Sequence, residues 1–231
     1  MILWFFDSWL GGKVVMEEFQ KMYPDISMIL EMDKENAPYG EKSTSEIREL
    51  TKKWVQRLFD RGADVVIIAC NTASVHALRW LQQEVFVGRH ILGVMIPWAE
   101  RILELWYKRV WVLATEATVR IRGYKERVHI TDSTIHIEEI AAPWLVPLIE
   151  QGITSGKEID ILLREYIGKF SPDIEALVLG CTHYPLIRES LEKIWETVHH
   201  TKTPDIIDPG KEASLKFWNW RERKDMITSV K

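Results

Sequence analysis

Two cysteines, Cys70 and Cys181, are the side chains of this sequence best suited to acid–base chemistry. Each follows a short apolar run that predicts a strand, and each precedes an amide or hydroxyl residue and then a predicted helix. At such a turn the helix dipole and free N–H groups favour a thiolate and hold a carboxylate ligand beside it. We therefore expect the pKa of both thiols to fall from about 8.5 toward neutrality. The alternative is a cysteine that only fills space in the core.

Other uses of the two thiols are poorly supported. Two cysteines cannot brace a chain of 231 residues by disulfides, and a reducing compartment keeps them as thiols. No CxxC or HxxxH pair supplies the remaining ligands of a metal site, so no metal is expected.

The composition is that of an ordinary globular protein, with 46% hydrophobic and 28% charged residues. The formal net charge is −4 and no basic stripe is present, so a nucleic-acid partner is not expected. The apolar start is interrupted by Asp7 too early for a signal peptide or a membrane span. No membrane partner is expected, and a cytoplasmic location is the default expectation.

Strand-length apolar runs alternate with amphipathic stretches along the chain. Strands are expected at residues 2–6, 27–31, 65–69, 91–95, 110–114, 134–140, 176–179 and 206–208. Helices are expected at residues 13–22, from a capping box at 43–46 to about Phe59, at 73–83, and from Pro97 as a first helical residue. Strands separated by helix-length segments predict parallel sheets that helices cover on both faces.

The two halves of the chain resemble each other around the cysteines, at residues 69–72 and 180–183. This repeat predicts an α/β protein of two pseudo-symmetric lobes, each a mostly parallel sheet flanked by helices. Residues 1–96 with 206–231 would form the first lobe, and residues 97–205 the second. Since ligands bind beyond the carboxyl ends of parallel strands, the active site is expected between the lobes.

Four short segments carry a family resemblance: FDS at 6–8 with GG at 11–12, PYG at 38–40, ACNTAS at 69–74 and GCTHYP at 180–185. Two intermediate segments, ATEAT at 114–118 and VPLIE at 146–150, add to it. In their order and spacing these segments resemble glutamate racemases of the aspartate/glutamate racemase family. The resemblance extends from residue 2 to about residue 208, which is nearly the whole chain.

The resemblance implies an enzyme that interconverts L- and D-glutamate without a cofactor and supplies D-glutamate for peptidoglycan. One thiolate would take the α-proton from one face of the substrate, and the opposite thiol would return a proton to the other face. Such an inversion needs an acid and a base whose pKa values lie near ambient pH, which thiols can provide. The resemblance also implies a homodimer.

By the same matching, Asp7 would assist Cys70 and His183 would assist Cys181. Asp7 as a plain turn residue and His183 as a core histidine are the alternatives. Substrate contacts are expected from Asp7, Ser8, Tyr39, Gly40, Asn71, Thr72, Thr118, Thr182 and His183. Tyr39 could also be a packing aromatic. Asp33 and Glu150 match acidic residues of the family, and an exposed charge is the equal alternative for each.

Trp9 departs from the resemblance, because the family usually has glycine directly after the FDS segment. We expect its ring to point outward, toward the other lobe or a partner chain; an inward ring would put glutamate itself in doubt. The charged tail at 218–224 is expected to be a solvated helix end.

Two other functions stay open on the sequence. One is racemisation of another amino acid such as aspartate, although aspartate racemases usually carry an acidic residue where this chain has His183. The other is a ligand-binding relative without catalysis, against which the intact pair of thiols argues. A nucleotide-binding protein is disfavoured because no glycine-rich phosphate loop follows any strand.

Overall fold

A computed structural model describes the backbone of residues 2–228 and the side chains of residues 2–219. Within these residues the strands form two four-stranded, wholly parallel sheets with orders β2-β1-β3-β4 and β6-β5-β7-β8. The strands are β1 Ile2–Asp7, β2 Ser27–Met32, β3 Val65–Ile68, β4 His90–Gly93, β5 Arg109–Ala114, β6 His136–Ala141, β7 Ala176–Gly180 and β8 Asp205–Ile207. The two sheets share one strand order, so the prediction of two pseudo-symmetric α/β lobes is confirmed.

Helices cover both faces of each sheet. They are α1 Gly12–Met22, α2 Thr44–Asp60, α3 Asn71–Trp80, α4 Met95–Glu104, α5 Glu116–Arg120, α6 Gly123–His129, α7 Leu145–Glu150, α8 Lys157–Ile167, α9 Arg188–His199 and α10 Pro209–Thr228. A π-helical turn, Leu81–Val85, extends α3. None of the helices in the described part of the chain combines the length and apolarity that a membrane span requires.

The middle residues of the central strands β1 and β5 are apolar because both faces of these strands are buried. Leu3 and Phe5 of β1 pack on one side of the first sheet, and Trp4 and Phe6 pack on the other side. Strand β5 divides in the same way between two clusters of the second sheet. Each lobe therefore has two apolar layers, which fix its strand ends in space.

The predicted capping box at the start of α2 is present. The Ser43 side chain accepts the Glu46 N–H, and the Glu46 carboxylate accepts the Ser43 N–H. After α2, Gly62 has a φ of +90°, which explains why a glycine closes this helix.

Two expectations about helix boundaries are wrong. Helix α3 begins at Asn71 rather than at residue 73, because Cys70 itself caps it. Pro97 is the third residue of α4, which begins at Met95. Proline is tolerated there because the N–H groups of a first turn have no intrahelical acceptor, so the N–H that proline lacks is not needed. The charged tail at 218–224 lies within α10, as expected of a helix end; the side chains beyond residue 219 lie outside the described residues.

Strand β8 also corrects the expected lobe boundary. The expected first lobe includes residues 206 and 207, but Asp205–Ile207 pairs with β7 in the second sheet. The chain returns to the first lobe in α10, where the Phe217 ring packs against Phe19 of α1. We propose that the second lobe comprises about residues 97–207, and that residues 1–96 and α10 form the first.

His76 joins the two lobes through a buried imidazole on α3. Its Nε2 lies 3.1 Å from the Ala117 carbonyl of α5, and its Nδ1 lies 3.0 Å from Thr44 Oγ1. A neutral ring satisfies both contacts when Nε2 donates and Nδ1 accepts. The pKa of His76 is lowered to about 4, mainly by burial and also by the nearby Arg120 and Arg48, while the hydrogen bond to Ala117 opposes the shift.

We expect His76 to make the protein less stable in mild acid. Between about pH 6.5 and 4 the unfolded chain binds a proton at this histidine that the folded protein excludes. The stability contributed by the neutral ring is thus complete above about pH 6.5 and is lost as pH falls toward 4. We expect urea unfolding from pH 7.5 to 4.5 to show that the wild type exceeds His76→Gln in free energy of unfolding by an amount that shrinks as the pH falls. A difference between the two proteins that stays constant over this pH range would contradict the prediction.

Candidate active site

The ends of the two central strands of each sheet meet between the lobes. Ser8 follows β1, Cys70 follows β3, Thr115 follows β5 and Cys181 follows β7. In each sheet these strands flank the point where the order of connections reverses, the usual ligand position of open α/β sheets. The cavity there is lined by Ser8, Trp9, Pro38, Tyr39, Gly40, Glu41, Cys70, Asn71, Thr72, Thr115, Glu116, Ala142, Pro143, Val146, Pro147, Cys181, Thr182 and His183.

Cys70 sits at the N-terminus of α3. Its Sγ accepts the Ala73 N–H at 3.4 Å and lies 3.4 Å from Ser8 Oγ. Only 5% of the residue is exposed. Burial raises the pKa of Cys70 to about 12, with the nearby Asp7 carboxylate adding to the increase and the hydrogen bonds opposing it.

Cys181 follows β7 at the matching strand end of the second lobe, but it caps no helix, because the 3-10 turn after it begins at Tyr184. Its Sγ lies 3.6 Å from His183 Nδ1, and burial raises the pKa of this thiol as well. The expectation that helix N-termini would lower both thiol pKa values is therefore wrong for this structure. Desolvation in a cavity closed by both lobes outweighs the helix dipole and the N–H groups. Both cysteines are thiols at neutral pH here.

Asp7 lies behind the cavity wall rather than on it. The residue is fully buried. Its Oδ1 accepts hydrogen bonds from the backbone N–H of Trp9 at 3.0 Å and from the Ser8 hydroxyl at 3.4 Å. Its Oδ2 has no hydrogen-bond partner within the described residues. Burial raises the pKa of Asp7 to about 6, although His183 and the hydrogen bonds oppose the rise. Ser8 thus stands between this carboxyl group and the Cys70 thiol.

A carboxylate orients the imidazole of His183. Glu150 Oε1 makes a short hydrogen bond with His183 Nε2, and only 7% of the Glu150 side chain is exposed. The Gly11 N–H also lies 3.2 Å from Nε2, but a carboxylate can only accept, so we assign the Nε2 proton to the bond with Glu150. This leaves the Nδ1 lone pair directed at Cys181 Sγ. The exposed-charge alternative for Glu150 is wrong.

The loop 8–11 brings the first lobe onto this histidine. The Leu10 N–H donates to Glu150 Oε1 at 3.2 Å. A Cβ at Gly11 would lie 2.2 Å from Thr182 Oγ1 and 2.7 Å from the His183 ring. Glycine is therefore required at position 11 because the backbone approaches the second lobe too closely for a side chain.

Two polar chains support the cavity wall. The Tyr39 hydroxyl donates to Asp33 Oδ2 at 2.8 Å, and Asp33 is 2% exposed, so the exposed-charge alternative for Asp33 is also wrong. Across the lobes, Thr72 Oγ1 lies 2.9 Å from Thr115 Oγ1, which lies 3.1 Å from Thr118 Oγ1.

The structure brings most of the predicted site residues to the cavity. Those on its lining are Ser8, Tyr39, Gly40, Cys70, Asn71, Thr72, Cys181, Thr182 and His183. Those absent from its lining are Asp7, Asp33, Thr118 and Glu150. Sequence reasoning missed Thr115 as a lining residue. The available signal was that it directly follows a central strand, as Ser8 and Cys70 do.

Trp9 extends from the first lobe to the second. Its ring packs against the apolar cluster of the second lobe and meets the His183 ring edge-on, with centroids 6.5 Å apart. The same residue also lines the cavity. Trp9 therefore points toward the other lobe, one of the two expected directions, and also forms part of the cavity wall.

The cavity is suited to binding an anion through hydrogen bonds rather than through ion pairs. Within the described chain no Lys or Arg lines it, and its polar donors are hydroxyls, amides and backbone N–H groups. Glu41 and Glu116 at its edge add negative charge. No cluster of three or more His, Cys, Asp and Glu side chains suited to a metal is found among these residues.

Two thiols, one from each α/β lobe, line a single cavity, an arrangement that would allow an acid and a base to act on one ligand. The chain matches the Asp/Glu/Hydantoin racemase family over residues 15–213. It therefore belongs to this family of racemases, which are isomerases.

Individual relatives agree with this assignment. The glutamate racemase of Ruegeria sp. (strain TM1040) is 36% identical over 211 residues, covering 84% of this chain and 77% of the relative. The glutamate racemase of Aquifex aeolicus (strain VF5) is 32% identical over 195 residues, covering 84% and 75%. The crystal structure of glutamate racemase from Francisella tularensis subsp. tularensis SCHU S4 in complex with D-glutamate superposes with a TM-score of 0.87. It is 29% identical and covers 96% of this chain and 81% of that one.

We expect both thiols of the substrate-free protein to react slowly with iodoacetamide at pH 7.5, because only the thiolate is nucleophilic. The rate should still be rising at pH 10, since the pKa of Cys70 is about 12 and that of Cys181 is also raised. The same measurement on Cys70→Ser and Cys181→Ser assigns the rate to each thiol. Protein unfolded in urea should show a midpoint near about pH 8.5. A rate that levels off below pH 8 in the folded protein would refute the raised pKa values.

Proposed function

We propose that this chain is a glutamate racemase that interconverts L- and D-glutamate by proton transfer between Cys70 and Cys181, without a cofactor. The observation that carries the proposal is that the two lobes contribute one thiol each to the same cavity. A planar carbanion formed between them can be reprotonated from the face opposite to the one that lost its proton. The glutamate racemases among the relatives support glutamate as the substrate.

The proposed reaction exchanges one proton for another. One cysteine thiolate takes the α-proton, so that the Cα–H bond breaks, an S–H bond forms and the electron pair stays on Cα. The opposite thiol then donates its proton to Cα on the other face and becomes a thiolate. The protonation states of the two cysteines are exchanged after each inversion, and the reverse reaction starts from that state.

Each thiol has a neighbour that can accept its proton. For Cys181 the acceptor is His183 Nδ1, with Glu150 stabilising the resulting imidazolium through Nε2. For Cys70 the route runs through the Ser8 hydroxyl, which can accept the thiol proton while donating to Asp7 Oδ1. Since burial disfavours a thiolate in this cavity, these neighbours would set how much of it forms.

Binding of the substrate would rest on backbone and hydroxyl donors. The first N–H groups of α3, at Asn71 and Thr72, have no intrahelical acceptors and would donate to an anion bound at the helix N-terminus. The Thr182 hydroxyl and the backbone near Gly40 border the same cavity. Donors placed before the reaction starts also stabilise the charge that develops when the α-proton leaves.

A second candidate is racemisation of a shorter acid such as aspartate. Trp9 favours it, because its indole occupies part of the cavity wall where the resemblance has glycine. A ligand-binding relative without catalysis is the further alternative from the sequence. The cytoplasmic location, the role in peptidoglycan synthesis and the homodimer stay predictions from the resemblance.

We expect Cys70→Ser and Cys181→Ser each to lower racemisation of glutamate by about 10²–10⁴-fold, since each removes a general acid or base. Loss of optical rotation from either enantiomer, measured without added pyridoxal phosphate, gives the rate. Loss of the α-proton signal in heavy water gives proton exchange independently. Exposed Thr197→Ala serves as the control and should match the wild type. Full turnover in both cysteine variants would refute the mechanism, and a wild type without turnover would refute the activity.

We expect Trp9→Gly to widen the cavity toward longer acids. The ratio of kcat/KM for 2-aminoadipate to that for glutamate should rise about tenfold or more, as one methylene in an apolar pocket commonly changes specificity by that amount. The aspartate-to-glutamate ratio should fall. Trp106→Gly, which removes an indole that is 80% exposed, is the matched control and should leave both ratios unchanged. Unaltered ratios in Trp9→Gly would show that this indole does not limit substrate length.

A further inference from the structure

A hydrogen bond from the second lobe holds a side chain of the first lobe at the cavity. Tyr124 lies on α6, between β5 and β6 of the second sheet, and is fully buried. Its hydroxyl lies 2.6 Å from Oδ1 of Asn71, which is the first residue of α3 and lines the cavity beside Cys70. Neither the resemblance nor the sequence pattern pointed to Tyr124.

The direction of this hydrogen bond fixes the orientation of the Asn71 amide. A neutral tyrosine hydroxyl carries one proton, and burial raises the pKa of Tyr124 well above its usual value of 10. Among the described side chains we find no other partner for this hydroxyl, so its proton goes to the Asn71 oxygen. The amide nitrogen is then the free polar end of Asn71. Within residues 2–219 the side chain of Asn71 bonds to Tyr124 through its oxygen, and Asn71 lines the cavity, so its two N–H donors are available to a ligand there.

Tyr124 is held firmly enough to impose this orientation. Its ring packs against the buried ring of Trp98, with centroids 4.8 Å apart. The start of α6 is tied to β6 because Glu139 Oε1 accepts the Lys125 N–H at 2.7 Å. A Cβ at Gly123 would lie only 2.1 Å from Cγ1 of Val75, so α6 packs on α3 at a distance that only glycine allows.

We propose that Tyr124 is a positioning residue for the racemisation proposed above: it orients the Asn71 amide so that its N–H groups donate to a carboxylate of the substrate. The inference rests on the proposed function. In this arrangement the substrate-binding surface at the start of α3 is completed by the opposite lobe. Asn71 released from Tyr124 can rotate and present its carbonyl oxygen, which repels a carboxylate.

A double-mutant cycle tests this role. Tyr124→Phe should lower kcat/KM for both glutamate enantiomers about tenfold. The reason is that a misoriented Asn71 loses its hydrogen bond to the substrate carboxylate, a charged group. In an Asn71→Ala background the same change should have no further effect on kcat/KM, because the group through which Tyr124 acts is gone. A merely structural role for Tyr124 predicts equal losses in both backgrounds. Equal losses, or no loss in the single variant, would overturn the inference.

A second variant covers the possibility that Tyr124→Phe does not fold. Asn71→Asp keeps an acceptor for the Tyr124 hydroxyl but replaces the N–H donors with a carboxylate oxygen. It should weaken D-glutamate binding, measured by calorimetry, by tenfold or more; retained binding would overturn the inference. Tyr166→Phe, another buried tyrosine, on α8, is the control and should leave kcat/KM unchanged.

The same assays separate this inference from the function on which it rests. A wild type that neither binds nor racemises glutamate would overturn both together. A wild type that racemises glutamate while the cycle is additive would overturn the role of Tyr124 alone.

Discussion

The contact of loop 8–11 with His183 sets the geometry on which the rest of the site depends. Gly11 brings the first-lobe backbone against the His183 ring, while Leu10 binds the carboxylate of Glu150 that orients the same ring. The strand end that delivers Ser8 and Asp7 to Cys70 is therefore also in contact with the machinery of Cys181. The two halves of the proposed reaction are built around one short loop, so neither lobe carries a complete site alone.

This construction explains why the thiols are protonated despite their places at strand ends. Each lobe alone would leave its strand ends open to water, where a helix N-terminus favours an anion. Closing the lobes against each other removes that water, and the resulting desolvation raises both thiol pKa values. A weakly acidic α-proton calls for a strong base, and a thiolate in a dry cavity is a stronger base than one in water. The burial that makes the thiolate scarce would also make it effective.

The parts of the structure that the sequence predicts are those set by local periodicity and turn chemistry. Ser43 and Glu46 form their capping box as expected, and Cys70 and Cys181 follow strands as expected. The lobe of β8 was predicted wrongly because a strand's partner is chosen by long-range packing, and three residues carry no pattern that identifies it. The thiol pKa values were predicted wrongly for a related reason, since burial depends on groups from both lobes.

Tyr124 illustrates why the cross-lobe contacts escape a reading of the sequence. It is separated from Asn71 by 53 positions and lies on a short helix with no periodicity of its own. What joins the two residues is the packing of α6 on α3, which Gly123 permits by leaving room for Val75. Two further contacts join α3 to the second lobe: His76 with the Ala117 carbonyl, and Thr72 with Thr115. The N-terminus of α3 thus presents Cys70 and the binding donors to the cavity, while other side chains of α3 bond to the second lobe. Movement of one lobe against the other would shift the base and the substrate's carboxylate site together.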